Sequence, residues 1–254
     1  MKQFWLMLAV PALLFAACGT PPKAAPAKKD VTQEPAKLTP AMDPNVPKVC
    51  ALTFDDGPNA VKTPKVLDKL EKYGVPATFF LVGSNINAGT APVMKRALAL
   101  GCELGNHTWS YSDLGGAGEE QIKESVEKTT AAIEKYAGVT PKFFRAPNLS
   151  TSKIMFAAVN MPFMSGIVGY DWDQKTTAAQ RANFVLSGVK DGAVILLHDV
   201  QPDPHPTPEA LDIIIPELKK RGYTFLTLSD LFTRQGVDPA SKKNAMWTIV
   251  PKAK

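Results

Sequence analysis

The chain has 254 residues, 45% of them hydrophobic and 21% charged, which suffices for a core-bearing domain and excludes wholesale disorder or a glycine-period fibre. Its net charge of +5 gathers at the ends: residues 1–50 carry six Lys against three acids, residues 242–254 four Lys against none, and the remainder 19 basic against 21 acidic residues. A slightly acidic body leaves no footprint for a phosphate backbone, so no nucleic-acid partner is expected.

Lys2 precedes an apolar stretch, Phe4 to Ala17, shorter than the roughly 20 residues that span a bilayer core. It reads as the core of a signal peptide. The stretch ends Leu14-Phe15-Ala16-Ala17-Cys18-Gly19, which resembles a bacterial lipoprotein box. The resemblance implies a signal peptide over residues 1–18 and lipidation at Cys18. The mature protein would then be an exported lipoprotein, membrane-anchored in the periplasm or at the cell surface. The plainer alternative is an ordinary signal peptide with a chance Cys. Residues 19–48 hold seven Pro, five Ala and five Lys. Such a segment buries too little to offset its ordering entropy, so it reads as a solvated tether with a reach on the order of 90 Å.

From residue 49 strand and helix alternate. Val49–Phe54 is a short apolar run, hence a buried strand. Thr63 and Pro64 open a helix that Gly74 closes. Ala77–Val82 predicts a strand, Thr90 to Leu100 a helix, Glu103–Asn106 a short strand and Glu119–Ala137 a long amphipathic helix. Further strands are predicted at Lys142–Arg145, Phe163–Val168, Ala193–Leu197 and Tyr223–Thr227, and helices near 152–159, 178–189 and 207–221. Pro216 should kink or split the last helix. Seven strands interleaved with helices imply one α/β domain over 49–235 with a parallel sheet, either doubly wound or a barrel. Residues 236–254 read as a poorly specified tail, although Trp247, Ile249 and Val250 could pack back. Cys50 and Cys102 start two of the strands. Outside the cytoplasm they could pair, or stay as buried free thiols.

Three strands end in groups that bind metals or move protons: Thr53-Phe54-Asp55-Asp56-Gly57-Pro58, Gly105-Asn106-His107-Thr108-Trp109 and Ile195-Leu196-Leu197-His198-Asp199. In parallel α/β folds functional side chains gather at such ends. Adjacent carboxylates there point different ways, so one can hold a metal while its neighbour acts as a base. An isolated Asp-Asp-Gly is usually only a turn. Here two of the three His in the chain fall at equivalent strand ends, which favours a site. His205, among four prolines, reads as a surface loop residue.

Over residues 48–235 the sequence resembles the NodB-like polysaccharide deacetylases, carbohydrate esterase family four, through TFDDGP at 53–58 and ILLHD at 195–199. The resemblance implies a distorted (β/α) barrel of about seven parallel strands. It also implies a divalent metal, usually zinc, that activates water against an acetyl carbonyl. By matching positions, Asp55 is the general base, Asp56 and His107 are metal ligands, and His198 is the general acid. Arg145 in FRAP lines the groove near the base. Asp171 tunes His198, and Trp172 with Leu196 walls the pocket for the acetyl methyl. A backbone N–H near Asn148, where the family usually has an aromatic residue, would serve as oxyanion donor.

One departure bears on the metal. Four residues after His107 the family has a second His, and this chain has Tyr111. A neutral phenol is a poor ligand, and catalytic zinc normally has three protein ligands. Affinity should fall, or selectivity should drift toward cobalt or manganese, unless Asp113 supplies the missing ligand. Two functions follow. The leading one is a monomeric, anchored deacetylase acting on N-acetyl groups of peptidoglycan or chitin-like glycans, or on O-acetyl groups of xylan. The other is a non-catalytic carbohydrate-binding lipoprotein on the same fold.

Overall fold

The computed structural model describes residues 48–111 and 114–253, all within one compact unit. The signal peptide, Cys18, nearly all of the tether and Asp113 lie outside the described residues. Among these residues six strands, all parallel, form one sheet in the order β3-β2-β1-β5-β4, with β6 also pairing β1. The strands are β1 (Lys48–Asp55), β2 (Thr78–Leu81), β3 (Glu103–Asn106), β4 (Ile167–Val168), β5 (Ala193–His198) and β6 (Tyr223–Phe225).

β1 is buried along all but its first residue, as a continuous apolar run flanked on both faces requires. β5 pairs with it from Cys50 to Asp55, β6 with its first three residues and β2 with its last three. Side chains alternate across the sheet with period two. Cys50, Leu52 and Phe54 enter one apolar cluster together with Ile195 and Leu197. Val49 and Ala51 enter another with Val194. Continued to the strand ends, that second face carries Thr53 and Asp55 on β1 beside Leu196 and His198 on β5. The sheet's pleat thus selects the side chains that meet.

Among the described residues six α-helices lie between strands, α1 (Thr63–Tyr73), α2 (Ala91–Ala99), α3 (Glu119–Ala137), α4 (Lys153–Ala158), α5 (Ala178–Gly188) and α6 (Thr207–Lys220), and α7 (Leu228–Gln235) follows the last strand. α1 has Pro in its first turn and ends on Gly74 at φ 60°, a left-handed cap that glycine adopts without a Cβ penalty. α5 starts on a reciprocal capping box between Thr177 and Gln180.

The structure departs from the sequence expectations in several places. Lys142–Arg145 is no ladder: only Phe144 bridges, to Asn106 and to Phe163. The strand expected over Phe163–Val168 is regular only at Ile167–Val168. At Gly166 the backbone runs so close to Leu196 that a Cβ would lie 2.7 Å from that residue's own Cβ. Pro216 sits inside an unbroken α6. It lies on the exposed side, where water can serve the carbonyl its ring leaves unpaired. His205 is buried, at 6% exposure, since its proline-rich loop folds inward. Cys50 and Cys102 are both free and buried, and burial drives both thiols up, Cys102 to about 12. The last segment packs: Trp247 bridges Met164, Ile249 bridges Ala193, and Val250 is fully buried.

Candidate active site

The strand register assembles the site. Asp55 is the Cα partner of His198. Leu81 is the partner of Asn106, so His107 follows on the next strand end. Arg145 donates its backbone N–H to the Asn106 carbonyl at 3.0 Å, so the bridge at Phe144 carries Arg145 to the same end. Asp55, Asp56, His107, Tyr111, Asn148, Trp172, Leu196 and His198 all line one cleft of about 420 Å³, a ligand-sized volume. Arg145 and Asp171 stand behind its wall.

Asp55 and Arg145 form a buried pair. Arg145 Nη1 donates to Asp55 Oδ1 at 2.6 Å and to Thr53 Oγ1 at 2.9 Å. Nη2 donates to the Ser165 carbonyl at 2.8 Å, and the Phe80 ring lies 4.2 Å from the guanidinium carbon. Burial lowers the Arg145 pKa, against the opposing charge of Asp55. With Oδ1 engaged, the other oxygen of Asp55 is left toward the cleft. There His107 Nε2 stands 3.9 Å from Asp55 Oδ2 and 3.5 Å from Asp56 Oδ1.

His107 Nδ1 lies 2.7 Å from the Arg145 carbonyl. A carbonyl only accepts, so Nδ1 carries a proton, and in the neutral imidazole Nε2 would present its lone pair toward two carboxylates. A lone pair facing carboxylates in a buried recess is the donor set of a divalent cation. Asp56 has φ 83°, a left-handed conformation that is costly for a non-glycine residue. It turns the Asp56 carboxylate toward His107 rather than along the sheet. Among the described residues no three His, Cys, Asp or Glu side chains converge as a metal group. Among the described residues the fit is therefore to two protein ligands, Asp56 and His107. Tyr111 is half exposed, but its hydroxyl is turned inward, 3.4 Å from the Asp56 carbonyl. Burial of that end, with the charges of Asp56, Asp199 and Asp55, pushes the phenol far up. It keeps its proton, as the sequence suggests.

The second pair faces the first. His198 Nδ1 lies 2.8 Å from Asp171 Oδ1, and Asp171 Oδ2 accepts from the His198 backbone N–H at 2.6 Å and from Thr207 Oγ1 at 2.9 Å. Burial raises the Asp171 carboxyl, but the His198 charge and these hydrogen bonds bring it below its ordinary value. Burial alone would lower His198. The Asp171 charge and hydrogen bond outweigh it and raise the imidazole to about 9, with smaller help from Asp55 and Asp56. The Trp172 ring meets the His198 ring edge-on at 5.7 Å. Asn148 has φ 55°, a left-handed conformation that Asn tolerates, on the cleft wall.

Several supports escape the sequence reading. Asp199 is wholly buried, hydrogen-bonded by Thr63 Oγ1, with its Oδ1 unpartnered. Burial pushes it up to about 7, against the Thr63 bond. Gln201 also lines the cleft. Buried Arg181 donates to Thr207 Oγ1 at 3.3 Å and so backs Asp171. The bonds by which Thr53, Thr207 and Arg181 brace the two pairs join residues 26 to 142 apart in sequence, so no local motif reports them.

The polysaccharide deacetylase family model matches residues 43–162. A bifunctional xylanase/deacetylase from Pseudobutyrivibrio xylanivorans is 47% identical over 192 residues, 76% of this chain and 32% of that protein. A peptidoglycan-N-acetylglucosamine deacetylase from Bacillus cereus is 38% identical over 72% of this chain and 67% of its own length. The chain thus spans only about a third of the first of these relatives. Among solved structures, a family 4 acetyl xylan esterase from Clostridium thermocellum, in complex with a cobalt ion, is 56% identical. It superposes with a TM-score of 0.78 over 80% of this chain and 100% of that one. By that identity and coverage, on the same α/β fold, the chain belongs to the polysaccharide deacetylase family, carbohydrate esterase family 4.

Proposed function

We propose that the chain is a metal-dependent deacetylase of polysaccharides, with O-acetylated xylan as the favoured substrate and N-acetylated peptidoglycan or chitin-like glycans as the alternatives. The observation that carries the reading is the pair of opposed acid–base couples, Asp55–Arg145 and His198–Asp171, on partnered strand ends across one cleft. The xylan preference draws on the two relatives named for xylan. A divalent cation held by Asp56 and His107, zinc or else cobalt or manganese, would supply Lewis acidity toward water and the acetyl carbonyl.

The chain's own residues do the rest. Asp55, fixed by Arg145 through Oδ1, takes a proton on its other oxygen as water attacks the carbonyl carbon. The backbone N–H near Asn148 receives the developing oxyanion. His198 points the ring nitrogen not held by Asp171 at the leaving group, and donates its proton to the sugar oxygen, or nitrogen in an amide, as the bond to carbon breaks. Acetate and a free hydroxyl or amine result. Trp172 and Leu196 close the pocket around the methyl.

The export reading joins this one. A lipid at Cys18 and a tether over residues 19–48 would hold a monomeric domain at the membrane within reach of wall polymers, and Cys18→Ala should then move the protein to the soluble extracytoplasmic fraction. Tyr111 favours a second reading, a glycan-binding protein without turnover. Acetate release from acetylated xylan, from peptidoglycan and from chitooligosaccharides, after chelation and after adding back zinc, cobalt or manganese, separates the two. No release under any of these conditions would refute the deacetylase reading.

A further inference from the structure

Among the described residues the exposed large aromatic side chains are Tyr111, Tyr170, Trp172 and Phe184. Tyr111 and Trp172 line the cleft. The other two continue outward from it. The Tyr170 ring lies 5.3 Å from Trp172 and 4.8 Å from Phe184, and Trp172 in turn lies 5.7 Å from the His198 ring. The result is an unbroken row of rings from the acid to the outer surface. Tyr170, Trp172 and Phe184 are 44%, 46% and 41% exposed, although mutual burial of three such rings would be the cheaper arrangement.

The backbone holds this row in place. Tyr170 has φ 51°, a conformation that costs free energy in a non-glycine residue. Its carbonyl accepts from Asp173 N–H at 3.2 Å and from Thr176 Oγ1 at 2.9 Å. Buried Arg181 fastens the same turn, donating to Thr176 Oγ1 at 3.0 Å and to the Asp173 carbonyl at 3.2 Å. Phe184 lies three residues beyond Arg181 on α5. A fixed turn that presents ring faces to solvent is preorganised for a ligand and loses little freedom when one binds.

We propose that Tyr170 and Phe184 form a sugar-stacking subsite, which binds a pyranose ring of the xylan-like chain next to the acetylated sugar in the cleft. The proposal rests on the deacetylase reading above. Pyranose rings present faces of C–H groups with partial positive charge, which complement the negative face of an aromatic ring. Continuity with the cleft selects the occupant, because a polymer whose acetyl group reaches His198 has its neighbouring sugars along this row. The Tyr170 hydroxyl adds a hydrogen-bonding group for ring hydroxyls.

The test is the chain-length dependence of kcat/KM for acetate release from acetylated xylo-oligosaccharides, from the disaccharide to the hexasaccharide. In the wild type kcat/KM should rise with length. Tyr170→Ala and Phe184→Ala should each lower it on the hexasaccharide, and together by about tenfold, mostly through KM. Tyr170→Trp should retain the rise. Equal losses on the shortest and longest substrates, or an unchanged length dependence, would overturn the subsite. Retardation of the full chain in a native gel containing deacetylated xylan needs no turnover. Retardation lost in the double variant would support the subsite even if no glycan released acetate, in which case the deacetylase reading alone would fall. Conversion of a wild-type dimer to monomer by the double variant, without loss of retardation, would show a self-association face and overturn the proposal.

Discussion

Replacing Asp171 by Asn tests the acid most directly. Asn keeps the shape and one acceptor, but removes the charge that faces His198 Nδ1 and the hydroxyl of Thr207. In the native pair the imidazole is raised from 6.5 to about 9, a differential stabilisation of about 3 kcal/mol. Burial opposes that rise, so without the Asp171 charge His198 should titrate at or below its ordinary 6.5. At pH 8 the protonated fraction would fall from ~90% to ~3% or less. A bound dication offsets the smaller contributions of Asp55 and Asp56. The alkaline limb of kcat in the loaded enzyme should therefore lie between 6.5 and 9, and move down to 6.5 or below in the variant. The same group governs stability in the metal-free protein. Between 6.5 and 9 the folded state binds more protons than the unfolded state, so the stabilisation present below 6.5 is lost as pH rises through 9. Asp171→Asn should flatten that slope in urea denaturation. A variant with low kcat but an unmoved alkaline limb would refute the assignment of His198 as the acid tuned by Asp171.

Tyr111→His should add a third ligand beside Asp56 and His107, and tighten divalent metal by about tenfold or more in competition with a chromogenic chelator. Tightly held stoichiometric zinc in the wild type, with no gain in the variant, would contradict a two-ligand site. Gly57→Ala should drive a methyl against Asp199, whose Oδ2 lies 2.6 Å from the new Cβ. The cost should be about 1–3 kcal/mol of stability, and Asp199→Ala in the same chain should recover part of it. Trp247 is 7% exposed and meets Phe232 edge-on at 5.2 Å. Trp247→Ala should therefore cost about 3–5 kcal/mol, and a loss below ~1 kcal/mol in urea denaturation would show that the C-terminal segment does not pack as described.

The helices and long strands were legible because their signals are local. Apolar runs, proline in first turns and glycine beyond last turns found β1, α1, α3 and β5 within a residue or two. α7 was missed although Thr227, Asp230 and Gly236 carry its cap signals. Thr227 accepts from the Asp230 N–H, but the strand reading had absorbed the start of the motif. The segments at 142–145 and 163–168 failed for a different reason. Their apolar composition is that of strands, but Phe144 meets only isolated partners, Asn106 and Phe163, and the path of 163–168 depends on a close backbone approach at Gly166 and on Trp247, far along the chain. Composition cannot report either one. His205 misled similarly: its proline neighbours signal a loop, and nothing in them says which way the loop folds.

The site divides along the same line. Asp55, Asp56, His107 and His198 announce themselves because strand ends bring together what short motifs contain. What distinguishes their roles is in the partners, which the motifs do not contain. Asp55 is held by a guanidinium that cannot release a proton at working pH, which suits it to the proposed role of taking one from water. Asp171 is held against an imidazole, which can release one. On the proposed mechanism, two carboxylates of equal intrinsic strength would thus serve opposite ends of one hydrolysis, because Thr53 and Ser165 direct Arg145 to the first while Thr207 and Arg181 brace the second. Exchanging the roles would require exchanging the cations and not the carboxylates.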